Sequence, residues 1–152
     1  MTRHYRTSSA AETIEAGRKI AKLLTPPLVV VLTGDLGAGK TTLVKGIAEG
    51  FQAAEEEDVT SPTFTLVHEY RGPSVNLFHI DLYRIDTDRE LLTLGLDDLI
   101  DSRSILLIEW GEKFERFSRE RDVEITISRV EENQREINIV LTEGTRGREK
   151  VG

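Results

Sequence analysis

Nine residues, GDLGAGKTT from Gly34 to Thr42, restrict this chain more than any other stretch. They fit the pattern G-x-x-x-x-G-K-[ST], and the fit carries a mechanism. Glycines let successive backbone N–H groups turn inward on a phosphate, the Lys40 ammonium reaches the outer phosphates, and the Thr41 hydroxyl can sit on a magnesium ion. The flanks agree. Leu28 to Leu32 is a continuous apolar run, the kind that forms a strand buried on both faces. After the loop, Leu43, Val44, Ile47, Ala48 and Phe51 recur at helical spacing. Strand, glycine loop and helix in that order aim the free N–H groups and positive dipole end of the helix at an anion.

The bulk properties narrow the setting. A chain of 152 residues reads as a single domain over 1–152 that buries roughly two-thirds of its unfolded surface. A hydrophobic fraction of 38% beside a charged fraction of 31% predicts a compact core under a heavily charged surface, and the net charge is −7. Broad gripping of nucleic acid needs many cations against phosphates, so this acidic chain is a poor candidate for it. Positive potential has to be built locally, from Lys40 and backbone dipoles. There is no cysteine, which excludes disulfides and thiolate metal sites. No apolar stretch approaches membrane-spanning length, and Met1 to Ser9 is polar without a secretory apolar segment, so a cytoplasmic protein is expected.

Along the chain, Ala10, Ile14, Gly17, Ile20, Ala21 and Leu24 form one stripe of a helix over Ser9–Leu24, with Ser8 or Ser9 as cap and Glu12 three residues after Ser9. Thr25-Pro26-Pro27 ends it. The helix after the glycine loop closes near Gly50, and Gln52 to Asp58 reads as a solvated acidic loop. Thr63–Tyr70 and Val75–Ile80 read as a hairpin across Arg71-Gly72-Pro73-Ser74. Leu91 to Ile100 fits one or two short helices around Gly95. Ile105–Ile108 is a second continuous apolar run, suited to a central parallel strand, and Phe114 and Phe117 fall on a short helix. Val123–Ile127 and Ile137–Leu141 alternate as strands, and residues beyond about 143 read as frayed. The sum is an α/β fold with two buried parallel strands and antiparallel strands at the margin.

Hydrolysis or phosphoryl transfer also needs a carboxylate for the magnesium shell, carried at the end of a strand beside the loop strand. Glu109 ends the Ile105–Ile108 run and is the better candidate; Asp81, after His79, ends Val75–Ile80. Asp81 is then either a second metal-shell acid or the group that orients the attacking water. Thr60-Ser61-Pro62-Thr63 lies where nucleotide switches fold over the metal and terminal phosphate. Trp110 is the only tryptophan, and ordinary core packing is its default reading, as a satisfied semi-buried role is for His79. The group Lys113, Arg116, Arg119 and Arg121 is interleaved with glutamates and reads as a solvated face that can also serve for docking. The N-K-x-D and D-x-x-G segments of guanine-specific GTPases and an LSGGQ-like signature are absent from the sequence. What remains is a minimal magnesium–nucleotide ATPase without an obvious second substrate site.

GDLGAGKTT, then SPTFTLVHEY (Ser61–Tyr70), HIDLYR (His79–Arg84) and LIEWGEKF (Leu107–Phe114) resemble, in the same order, the bacterial TsaE (YjeE) family. The resemblance spans about Ser8 to Val140. It implies a P-loop NTPase-like three-layer α/β fold with a mixed, mostly parallel central sheet flanked by helices. It also implies ATP with Mg2+, and partnership with the TsaB–TsaD pair, which transfers a threonylcarbamoyl group to the adenosine next to the anticodon. Contact with tRNA would then be indirect, through that complex.

Carried over residue by residue, the resemblance puts Gly37, Ala38, Gly39, Lys40, Thr41 and Thr42 on the phosphates, and Thr41 with Glu109 on magnesium. Asp81 becomes a functional acid beside Lys40 and Glu109, Trp110 a functional neighbour, and Thr63 part of the switch-like segment. Arg135 matches the family arginine near the adenine, although Gln134 stands where a glycine is common. The resulting expectation is an ATPase, weak alone and dependent on its partners, that serves tRNA threonylcarbamoyladenosine formation. Two alternatives are a small-molecule kinase using ATP and a nucleotide-gated binding module with negligible hydrolysis.

Overall fold

The computed structural model describes residues 2–35, 37–53 and 67–141. The switch-like segment with Thr63, most of the acidic loop and the tail expected to fray lie outside the described residues.

A run of apolar residues without alternation needs cover on both faces, and the two such runs occupy the middle of the sheet. β1 (Thr2–Thr7), α1 (Ala10–Ala21), β2 (Leu28–Thr33) and α2 (Lys40–Gly50) are followed by β3 (Val67–Arg71), β4 (Asn76–Asp81) and α3 (Asp88–Thr93). After a 3-10 turn at Leu96–Leu99 come β5 (Ser104–Glu109), a 3-10 turn at Gly111–Lys113, α4 (Glu115–Glu120), β6 (Val123–Arg129) and β7 (Arg135–Leu141). The seven strands lie in the order β1-β7-β6-β2-β5-β4-β3. β6, β2, β5 and β4 run parallel to one another, while β1/β7, β7/β6 and β3/β4 are antiparallel.

Alternate residues of the central strands divide between two apolar layers. Leu28, Val30 and Leu32 of β2 and Ile105 and Leu107 of β5 pack with Ile20, Leu43, Val44 and Ile47 of α1 and α2. Val29 and Val31, Leu106 and Ile108 face the other way, onto Leu91, Leu96, Phe114 and Phe117. The result is the helix–sheet–helix sandwich that the sequence predicts. Ser9 caps α1 by accepting from Glu12 N–H, and the Glu12 carboxylate accepts from Ser8 N–H, a reciprocal cap.

Two features depart from the sequence reading. The sheet has an extra edge strand, β1, and its parallel centre has four strands rather than two, because β4 and β6 align with β5 and β2. Phe114 precedes α4 in extended conformation, as its N-cap, instead of lying within it.

Helices α1 and α2 cross through glycine. A Cβ on Gly46 would lie 2.2 Å from the Ile14 carbonyl oxygen, and one on Gly17 would lie 2.8 Å from Gly46 Cα. This close approach fixes where the N-terminus of α2 meets the sheet.

Candidate functional site

Parallel strands bring their C-terminal ends to one edge of the sheet, where ligands of such folds bind. Leu32 of β2 is level with Glu109 of β5, and Asp81 of β4 is level with Glu109. The glycine loop leaving β2 and the two candidate acids therefore share one rim. They surround a cavity of about 640 Å³, lined by Gly37, Gly39, Lys40, Thr41, Thr42, Asp81, Glu109, Trp110 and Arg135, and also by Tyr83 and Arg84.

The loop ends on Gly39 in the left-handed region (φ 105°), which turns the chain into α2 without a side-chain cap. With no cap, the first N–H groups of α2 have no intrahelical partner and remain available to a ligand. Leu43 N–H makes the first helical bond, to Gly39 O at 2.9 Å. Ala38 does not line the cavity: it is 2% exposed, and its N–H donates to Asp35 O at 2.9 Å. Its carbonyl accepts from Arg135 Nε at 2.9 Å. Arg135 also donates to the carbonyls of Glu132 and Gln134 at 3.2 Å each, so it ties the β6–β7 turn to the glycine loop.

The core of the site is a buried charge cluster. Lys40 Nζ lies 3.5 Å from Glu109 Oε1, with both side chains under a tenth exposed. The fully buried His79 hydrogen-bonds through Nε2 to Glu109 Oε2. Burial pushes the Glu109 carboxyl up, but the His79 hydrogen bond and the charges of His79 and Lys40 outweigh it and hold the group below the usual carboxylate range. Glu109 is thus kept ionised, an acceptor only, and the hydrogen of the His79 bond belongs to Nε2. His79 Nδ1 has no hydrogen-bond partner among the described residues.

Trp110 follows Glu109 with φ 66°, a conformation uncommon for so large a side chain, and leads into the 3-10 turn at Gly111–Lys113. Its ring lies under the Lys40 ammonium at 4.8 Å and against Tyr83 at 5.2 Å. The ring is partly buried against the apolar layer of Val31, Ile108 and Phe114, so it joins that packing to the lysine. Asp81 Oδ1 accepts from Tyr83 N–H at 2.9 Å, which orients the carboxylate at the rim.

The structure thus brings Lys40, Thr41, Thr42, Asp81, Glu109, Trp110 and Arg135 around one cavity. The sequence reading assigns no site role to His79, Tyr83 or Arg84, although HIDLYR contains all three. For Tyr83 and Arg84 the available signal was position, two and three residues past a strand-end acid. For His79 it was the strand period, which sets it and Asp81 on the same face of β4. No cluster of three or more His, Cys, Asp or Glu side chains able to hold a metal occurs among the described residues. None of the described helices is long and apolar enough to cross a membrane.

A three-layer α/β sandwich with a glycine loop between strand and helix, facing carboxylates at the ends of the two adjacent strands, defines the class. Comparison with known proteins gives the family. The family model described as "Threonylcarbamoyl adenosine biosynthesis protein TsaE" matches residues 7–137, and the chain belongs to this family of tRNA threonylcarbamoyladenosine biosynthesis. It is 38% identical over 133 residues to the tRNA threonylcarbamoyladenosine biosynthesis protein TsaE of Bacillus subtilis, covering 88% of this chain and 82% of the relative. The Haemophilus influenzae protein of the same name is 40% identical over 116 residues, covering 73% of this chain and 72% of the relative. The crystal structure of Bacillus subtilis YdiB is similar with a TM-score of 0.75 at 32% identity, over 96% of this chain and 88% of that one.

Proposed function

We propose that the protein is a magnesium-dependent ATPase that acts in tRNA threonylcarbamoyladenosine formation together with the TsaB–TsaD transferase pair, reaching tRNA through that pair. The observation that carries the reading is the level register of Leu32, Glu109 and Asp81, which sets two carboxylates beside the loop that ends in Lys40. Family membership supplies the pathway. The absence of an N-K-x-D segment in the sequence favours adenine over guanine.

Each group has a chemical task in this reading. The glycine loop and the first turn of α2 donate N–H groups to the phosphates, and Lys40 neutralises the charge that develops on the transferred phosphoryl group. Incoming phosphate oxygens compete with Glu109 for the Lys40 ammonium, which frees a carboxylate already ionised. Thr41 and Glu109 would hold magnesium, which would supply positive charge against the phosphate oxygens. So few protein ligands suit an ion that keeps several waters and binds through one or two carboxylates plus substrate phosphates. Asp81 stands at the same rim, either in the metal shell or oriented toward the attacking water. Trp110 carries the Lys40 ammonium on its face.

A reconstituted tRNA modification assay tests the assignment. Lys40→Ala is expected to abolish both phosphate release and nucleotide-dependent modification. Normal modification by that variant would falsify the assignment. Release of a phosphorylated small product from a metabolite pool would favour a kinase instead.

A further inference from the structure

We propose that Arg84 is a catalytic residue supplied by the chain itself, placing its guanidinium on the terminal phosphate of the bound nucleotide as that group is cleaved. The proposal rests on the cavity holding a nucleoside triphosphate and deepens that reading.

Among the described residues, the cations that line the cavity are Lys40, Arg84 and Arg135. Two are committed: Lys40 to Glu109 and the Trp110 face, Arg135 to the carbonyls of Ala38, Glu132 and Gln134. Arg84 makes no hydrogen bond or ion pair among the described residues and is exposed at the rim. Of the acids near it in sequence, Asp81 accepts from Tyr83 N–H at 2.9 Å. Asp86 lies 3.6 Å from Lys113 Nζ, and Glu90 accepts from the Thr87 hydroxyl at 3.1 Å.

The backbone that carries Arg84 is held firmly. Leu82 N–H donates to Glu109 O at 3.0 Å, Ile85 N–H donates to Leu82 O at 3.0 Å, and Lys113 Nζ donates to the Leu82 and Tyr83 carbonyls at 3.3 and 2.9 Å. Leu82 and Ile85 on either side are buried. An uncommitted guanidinium on a fixed backbone at the rim of the cavity, three residues past Asp81, is available to charge that appears only during reaction. In the step itself, a water oxygen bonds to the terminal phosphorus while the bond to the leaving diphosphate breaks. The leaving oxygen keeps the bonding pair, and the water proton passes to a carboxylate or to solvent. Negative charge spreads over the leaving oxygen and the transferred group, where a forked guanidinium matches the oxygens in a way an ammonium does not.

The test compares the affinity of the whole protein and of Arg84→Ala and Arg84→Lys for Mg-ADP with and without aluminium fluoride, a mimic of the transferred group. Plain Mg-ADP affinity is expected to stay within about threefold in both variants, since transition-state contacts add little to ground-state binding. The gain in affinity on adding aluminium fluoride is expected to fall by about 10²-fold or more in Arg84→Ala, in line with the ~10³–10⁵ in rate that such an arginine supplies. Arg84→Lys should recover only part of it. An undiminished gain in Arg84→Ala overturns the proposal, as would be seen if the guanidinium were kept for a partner's carboxylate. A native protein that binds Mg-ADP but gains nothing from aluminium fluoride overturns it too. A native protein that fails to bind Mg-ADP at all overturns the nucleotide reading itself.

Discussion

Replacing Gly46 with alanine sets two effects of opposite sign against each other. Helix propensity alone favours alanine by about 1 kcal/mol in a helix interior. Against this, the added Cβ would stand 2.2 Å from the Ile14 carbonyl oxygen and 2.9 Å from the Ile14 carbonyl carbon and Cα. Ordinary contact begins at 3.4 Å, so α1 and α2 have to separate by about 1.2 Å, and the atoms in the way are backbone. No rotamer change relieves such a contact. Gly17 meets Gly46 from the other side, so separation also loosens the apolar layer formed by Ile20, Leu43, Val44 and Ile47. Overpacking costs about 1–3 kcal/mol and occasionally more. A backbone clash of this depth belongs at the upper end, which leaves a net loss of about 2 kcal/mol or more after the propensity gain. For a domain of this size that corresponds to a drop in Tm of about 4–8 °C. Urea denaturation of the two proteins side by side measures it. A Gly46→Ala variant as stable as the native protein, or more so, would refute the close-crossing account.

Two further predictions concern the buried charges. His79→Leu removes the hydrogen-bond donor to Glu109 and should cost about 2–4 kcal/mol, less than total isolation because Lys40 remains beside the carboxylate. The double variant His79→Leu/Glu109→Leu should lose less than the two single losses combined, and strict additivity in urea denaturation would contradict the coupling. The folded Glu109 carboxyl lies below its unfolded value near 4.5, so its contribution is complete above that pH and disappears as pH falls through the folded value. Native stability should therefore decline more steeply than that of Glu109→Gln on acidification from pH 6 to 3; parallel curves would contradict the shift.

The parts legible in the sequence were those where one physical demand dominates. The unbroken apolar runs of β2 and β5 required cover on both faces, and the loop between Gly34 and Thr42 required a helix start behind it. β1 left no trace because a short edge strand exposes most of its side chains. Its TRHYRT sequence buries only Thr7 fully and has no alternating apolar residues. β4 read as a hairpin arm because a short glycine–proline turn precedes it and polar Asn76, His79 and Asp81 interrupt its apolar character. In the fold it is that hairpin arm, antiparallel to β3, and it also pairs in parallel with β5; His79 is polar because it serves Glu109, thirty positions away in the chain. That contact depends on the β4–β5 register, which no local pattern encodes. The resemblance expects Arg135 near an adenine, and nothing local in the sequence points to its bonds to Ala38 and the β6–β7 turn, which come from tertiary packing.

The most direct measurement is a crystal structure of the protein with magnesium and a non-hydrolysable ATP analogue. The phosphates are expected at the N-terminus of α2, with oxygens within hydrogen-bond reach of Lys40 Nζ and the Thr41 N–H, and with the cation between Thr41 and Glu109. A nucleotide bound elsewhere, or a cavity still empty at saturating analogue, would contradict the account.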